Sequence, residues 1–185
     1  MARALLLVDL SKDFVYPDGA LNCGEAGLGV IPYCRSLVKE FVETGDLIID
    51  ARDLHDPEDY EIASGLFPPH NLRHSEGQKL IDELREELNG HEEKYVYIAK
   101  KHYNACQGTD LFNIIRQYHI TEIHVAGVCT DICVRYTVNG LYDFKTTEHP
   151  DLQIVVHREG VASFNEAGHQ ESLQHFPRVF GAKVV

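Results

Sequence analysis

Along the chain, short unbroken apolar runs alternate with segments whose apolar residues recur every three to four positions. Residues 4–8, Ala-Leu-Leu-Leu-Val, predict a strand buried on both faces of a sheet. Comparable runs at 47–51, 95–99, 123–128, 152–156 and 182–185 predict further strands. Between the first two, the spacing of Ile31, Cys34, Leu37, Val38 and Phe41 predicts a helix over 30–43, with Gly45 as its C-cap. Helical spacing also marks 78–88, 111–118, the stretch carrying Val134, Val138, Leu141 and Tyr142, and 166–176. No Asn-Gly hairpin signal joins paired strands, so the alternation predicts an α/β fold. It is a three-layer α/β/α arrangement around a mostly parallel, Rossmann-like sheet of about six strands, expected to form one domain over 1–185. Two long segments read as loops. One continues through Pro17-Asp18-Gly19 to the glycine-rich 24–29, which lacks the order of a dinucleotide fingerprint. The other, 54–75, is polar and proline-bearing, and loops of that length in compact domains are usually functional.

Charge and cysteine count narrow the classes. The net charge of -12 comes with no cluster of Lys and Arg, which argues against nucleic acid or an anionic membrane as partner. The apolar start is too short for a signal peptide and is followed by Asp9 and Lys12. No apolar run approaches the roughly 20 residues of a membrane span. The 5 cysteines are odd in number and fit no disulfide or Cys-x-x-Cys pattern, which suits a reduced, cytoplasmic setting.

Parallel strands deliver their C-terminal ends to one edge, where ligands bind. Asp9 follows the first strand, Asp53 and His55 the second, Lys100 the third and Cys133 the fourth. Each alone reads equally as a capping Asp, a solvated Lys or a packed thiol; together they predict a shared site. Cys133 falls in the turn from strand to helix within Gly127-Val128-Cys129-Thr130-Asp131-Ile132-Cys133-Val134, with Thr130 or Asp131 as N-cap. A helix N-terminus favours thiolate over thiol there. Asp9, Lys100 and Cys133 form one grouping: the carboxylate accepts the thiol proton, and the lysine keeps the carboxylate ionised and favours the thiolate. Alternatively, Asp9 and Lys100 form an ion pair tying two strand ends. Asp53, His55 and His70 form a second grouping, whose imidazole and carboxylate ligands suit zinc, iron or manganese, with His74 competing for the place of His70. Phe14, Phe67 and Tyr103 fall near the same edge and could hold a flat ring by stacking, or simply anchor loops.

These residues resemble the isochorismatase-like cysteine hydrolases, and within them the nicotinamidases, over nearly the whole chain. Val8-Asp9-Leu10-Ser11-Lys12-Asp13-Phe14 is similar to the family's opening Val-Asp-x-x-x-Asp-Phe, whose first Asp is catalytic. Lys100-Lys101-His102-Tyr103-Asn104-Ala105-Cys106 resembles Lys-x-x-Tyr-Ser-Ala-Phe, which puts the catalytic lysine at Lys100. The elbow resembles Gly-Val-x-Thr-Asp-x-Cys-Val, with the nucleophile at Cys133. Asp53-Leu54-His55 and Phe67-Pro68-Pro69-His70 resemble the nicotinamidase metal loop, with Glu61, Ser64 or water in the fourth ligand position. The resemblance implies hydrolysis of nicotinamide to nicotinate and ammonia through a thioester, in NAD salvage. Asp9 serves as base and the backbone N–H groups of Cys129 and Cys133 as oxyanion hole, with a cis peptide before Cys129. The divalent metal holds the pyridine nitrogen, Phe14, Phe67 and Tyr103 frame the ring, and the protein is expected as a homo-oligomer. Asn104 and Cys106 depart from the pattern, which suggests an altered pocket wall. Two other readings compete. A sister hydrolase would act on a carbamoyl or ureido compound. A phospho-receiver also places Asp and Lys at a sheet edge, but leaves Cys133, His55 and His70 without a role.

Overall fold

A computed structural model describes residues 2–185. Strands β1 (Ala2–Val8), β2 (Leu47–Asp53), β3 (Tyr95–Lys100), β4 (Ile120–Val128), β5 (Gln153–Ala162) and β6 (Lys183–Val184) form one sheet in the order β3-β2-β1-β4-β5-β6. Every neighbouring pair is parallel. The helices are α1 (Lys12–Val15), α2 (Gly24–Gly29), α3 (Ile31–Thr44), α4 (Tyr60–Ala63), α5 (Asp82–Leu88), α6 (Leu111–Gln117), α7 (Arg135–Thr147) and α8 (Glu166–Val179). Successive side chains of a strand point to opposite faces. In β1, Ala4, Leu6 and Val8 therefore join a core with Leu111, Ile115, Val138, Phe144 and Phe176 from α6, α7 and α8. Leu5 and Leu7 join a second core with Val38, Phe41 and Leu84 from α3 and α5. Two covered faces explain the unbroken apolar run, since each Leu and Val in it contributes about 1.5–3 kcal/mol on burial.

The chain crosses from β1 to β2 to β3 on one side, then returns to place β4 on the other side of β1. The C-terminal ends of β1 and β4 thus flank the switch point, where such sheets open a crevice. Gly127 permits the close pairing there: its φ is +138° and a Cβ would lie 1.9 Å from the Val8 carbonyl oxygen.

Several boundaries differ from the sequence expectation. The 24–29 loop is the helix α2, whose Gly27 packs against Cys23 and the Phe14 carbonyl; docking, not propensity, makes it helical. The 4-residue helices α1 and α4 also arise in segments read as loop. α5 starts at Asp82 rather than at 78, and β6 shrinks to Lys183–Val184. β5 continues to Ala162 instead of ending at 156, because His157, Arg158 and Glu159 hide a strand that resumes pairing at Val161. Among the described residues no helix is long and apolar enough to cross a membrane.

Under α3 runs a chain of polar groups. Glu122 Oε1 lies 2.9 Å from His124 Nε2, His124 Nδ1 lies 2.8 Å from His157 Nε2, and His157 Nδ1 lies 2.8 Å from the Tyr33 hydroxyl. An ionised carboxylate only accepts, so His124 donates through Nε2, His157 donates through Nε2, and Tyr33 donates to His157 Nδ1. Burial, followed by the neighbouring His124, lowers His157 to about 4. The unfolded chain therefore binds a proton that the native one refuses as pH drops below about 6.5, and stability falls with pH until about pH 4. From pH 7.5 to 5 this one group is expected to remove about 2 kcal/mol. Urea unfolding of the parent and of His157→Gln at both pH values tests this; an equal loss in the two proteins would refute it.

Candidate active site

Asp9 directly follows β1, with a left-handed φ of 55°. Its N–H donates to Ala51 O at 2.8 Å and its Oδ1 accepts from the Asp53 N–H at 2.7 Å, so the carboxyl is tied to the end of β2. Lys100 ends β3 and its side chain is fully buried. Its Nζ stands 2.6 Å from Asp9 Oδ2, 2.6 Å from Asp53 Oδ1 and 3.6 Å from Cys133 Sγ. Asp9, Asp53 and Cys133 present atoms that all lie within 4.8 Å of one another. The first sequence-predicted grouping is therefore brought together. Lys101 instead points out to Asp56 and Asp59, each at 3.0 Å, so burial separates the two adjacent lysines.

Protonation differs from expectation. Burial, and then the charge of Asp53, raise Asp9 to about 6 against the pull of Lys100. Burial also holds the Cys133 thiol well above its ordinary value, with Asp9 and Asp53 adding to that effect and Lys100 opposing it. Burial thus opposes the thiolate expected at a helix start. Two buried carboxylates and desolvation outweigh one ammonium and the helix dipole. Lys100 remains charged, since Asp53, Asp9 and Cys133 overcome its burial. A base raised to about 6 beside a thiol is suited to taking the proton near neutral pH.

Cys133 lies in a π-helical turn, Thr130–Val134, ahead of α7. Neither Thr130 nor Asp131 caps that turn with its side chain. Thr130 instead holds α8, with its Oγ1 2.8 Å from His169 Nδ1, and Asp131 holds the segment before it, accepting from Ser163 Oγ at 2.7 Å. A Cβ at Gly168 would lie 2.0 Å from Asp131 Oδ2, so α8 is seated hard on the elbow. The peptide between Val128 and Cys129 is cis. Among the described residues, the N–H groups of Cys129 and Cys133 find no backbone acceptor outside the turn.

Asp53, His55 and His70 offer ligand atoms that also fall within 4.8 Å of one another, all on buried residues. His55 Nε2 is buried without a hydrogen-bond partner, and Asp53 Oδ2 is 3.8 Å away. His55 Nδ1 is held by Asp59 at 3.2 Å, and His70 Nδ1 donates to Pro68 O at 2.7 Å, leaving His70 Nε2 free. Two imidazoles with oriented outer nitrogens, an orphaned inner nitrogen and a carboxylate fit a divalent metal. His74 is exposed and takes no part.

A narrow cleft opens over both groupings, with Asp53, His70 and Cys133 in its wall. Phe14, Phe67 and Tyr103 line it, and the Phe14 and Phe67 rings stand 5.3 Å and 6.1 Å from that of His70. Glu61 also lines it, whereas Ser64 is exposed. Leu21, Val128, Ile132 and Phe164 complete the apolar wall and escaped the sequence reading. Phe164 could be recognised only once β5 was known to reach Ala162. Asn104 and Cys106 do not line the cleft; they pack behind it against Gly140 and Thr137 of α7. The altered wall expected there is therefore not present.

Comparison with known proteins is consistent with this geometry. The isochorismatase domain family matches residues 3–184. An isochorismatase family protein of Bacillus subtilis, PncA, is 42% identical over 187 residues, covering 100% of this chain and 99% of that protein. A crystal structure of nicotinamidase/pyrazinamidase PncA from Bacillus subtilis matches with a TM-score of 0.91 over 100% of both chains, at 39% identity. The zinc complex of a pyrazinamidase from Pyrococcus horikoshii matches with a TM-score of 0.83 at 28% identity, over 100% of this chain and 99% of that one. An N-carbamoylsarcosine amidase from Thermoplasma acidophilum matches with a TM-score of 0.81 at 28% identity, over 100% and 95%.

Proposed function

The chain belongs to the isochorismatase family, and on that premise we propose that it is a nicotinamidase, hydrolysing nicotinamide to nicotinate and ammonia in NAD salvage. The observation that carries this reading is the single ammonium of Lys100, which contacts Asp9, Asp53 and Cys133 where a thiol site and a metal-binding triad meet under an aromatic cleft. In the proposed reaction Asp9 takes the proton of the Cys133 thiol, and Lys100 offsets the developing negative charge. The sulfur bonds to the carboxamide carbon, and the N–H groups of Cys129 and Cys133 donate to the oxyanion. Asp9 returns the proton to the departing nitrogen, which leaves as ammonia. It then takes a proton from the water that cleaves the thioester. Asp53, His55 and His70 would hold a divalent ion, which would supply Lewis-acid chemistry at a ring nitrogen. Phe14, Phe67 and Tyr103, which line the cleft, hold the ring by stacking.

The alternative is a sister amidase for a carbamoyl compound bearing a carboxylate. The cleft disfavours it: no arginine lines the wall, Lys100 is engaged by two carboxylates, and Asp53 and Glu61 face inward. Ammonia release should follow nicotinamide and pyrazinamide, with N-carbamoylsarcosine inert, and should fall after chelation. Turnover of N-carbamoylsarcosine with nicotinamide inert would overturn the substrate assignment. His70→Ala should weaken metal binding by at least roughly 10–100-fold and raise KM, read by metal analysis and kinetics. Unchanged metal content would remove His70 from the ligand set.

A further inference from the structure

One pair of side chains beside the site has no role in this chemistry. Cys23, in the loop before α2, and Cys129, at the start of the elbow, bring their sulfurs to 3.2 Å across 106 positions of sequence. The other two cysteines outside the reaction have no such partner: Cys34 Sγ faces the Gly160 carbonyl and Cys106 Sγ the Thr137 carbonyl. Two thiolates on a tetrahedral zinc with bonds of about 2.3 Å would stand about 3.8 Å apart, so the spacing is too tight for a shared metal. It needs closing only to about 2.05 Å for a disulfide. Cys129 lines the cleft, whereas Cys23 is buried behind it at 3% exposure. A small oxidant in the cleft therefore meets Cys129 first, with Cys23 already in contact to resolve the product.

We propose that Cys23 and Cys129 form a reversible disulfide when a hydroperoxide enters the cleft, and that this disulfide lowers the enzyme's activity. Cys129 gives up its proton and the thiolate attacks the peroxide; the O–O bond breaks, one oxygen becomes the sulfenic hydroxyl, and the other takes up the proton and leaves as water. The Cys23 thiol then attacks the sulfenic sulfur, the S–O bond breaks, and a second water leaves. Two thiols are oxidised and one hydrogen peroxide is reduced. Contact with Cys23, and then burial, raise the Cys129 thiol, so the pair rests protonated and forms the peroxide-reactive thiolate only slowly.

Closing the pair requires about 1 Å of movement shared between two anchored segments. On one side, the Cys23 N–H is held by Phe14 O at 2.9 Å and its Cβ is 3.0 Å from the Cβ position of Gly27. On the other side is Cys129, whose own N–H belongs to the proposed oxyanion hole. Misplacement of a catalytic donor by about 1 Å costs on the order of a hundredfold in rate.

Two measurements test the pair, and only the second rests on the amidase reading. In Cys133→Ala protein exposed to hydrogen peroxide, peptide mass mapping should find a Cys23–Cys129 cross-link that dithiothreitol removes. Its absence, or a Cys129 bearing added oxygens only, would overturn the proposal. With Cys133 present, peroxide should lower amidase activity roughly tenfold or more with recovery on reduction. Cys23→Ser should keep its starting activity and lose that reversible component. An identical dose response in Cys23→Ser would assign the inhibition to Cys133 itself and overturn the regulatory part.

Discussion

Cys133→Ala is expected to fold as the parent does and to release ammonia from nicotinamide at a rate lower by about 10⁴-fold or more. Its sulfur lies 3.6 Å from the Lys100 ammonium and within 4.8 Å of an Asp9 carboxylate oxygen, and it lines the cleft. The truncation removes a small buried group and leaves the ion pairs of Lys100 with Asp9 and Asp53 in place. Far-UV circular dichroism and the thermal midpoint should therefore change little. Nicotinamide binding, measured by calorimetry with metal loaded, should persist, because the proposed ring site is built from Phe14, Phe67, Tyr103 and the metal loop and not from sulfur. The effect then belongs to kcat. Activity within tenfold of the parent would dismiss Cys133 as nucleophile and with it the thioester.

Lys100→Met should be the most destabilising substitution in the site. The replacement keeps the apolar stem but deletes a charge that sits 2.6 Å from each of two buried carboxylates. Removing one partner of a buried ionic cluster costs about 3–5 kcal/mol, since the remaining charges lose their compensation. At roughly 2–4 °C per kcal/mol for a chain of this size, the thermal midpoint should drop by about 10 °C. The loss has a diagnostic pH dependence. Without Lys100, Asp9 and Asp53 repel each other in a dry site and both are raised above their unfolded values. A carboxyl raised in the native state binds more protons folded than unfolded, so its penalty grows as pH rises and shrinks as pH falls. After chelation, the deficit of Lys100→Met should be smaller at pH 5 than at pH 8 in urea unfolding. A deficit independent of pH would mean that packing, not charge, is what Lys100 supplies.

Much of this arrangement can be read from the sequence because parallel strands carry local, periodic signals. The runs ending before Asp9, at Asp53, at Lys100 and before the elbow announce both the strands and the edge on which these residues gather. The less legible parts are those whose conformation depends on distant partners. α2 has poor helix formers and exists because Gly27 docks on Cys23 and Phe14. The far half of β5 looks polar because it faces α3 through the Tyr33–His157–His124 chain, and its continuation alone delivers Phe164 to the cleft. Thr130 and Asp131 look like caps, but Ser163 and His169 claim them.

The order of residues by itself determined that an α/β sheet forms and that an acid, a lysine, a thiol and two histidines reach one edge of it. Tertiary structure decided what those groups are once there. Spatial neighbours chose His70 over His74, pushed the Cys133 thiol and Asp9 up, and brought Cys23 against Cys129. The physical reason is that hydrophobic periodicity is written within ten or so adjacent residues, whereas desolvation and charge depend on every chain segment that packs around a group.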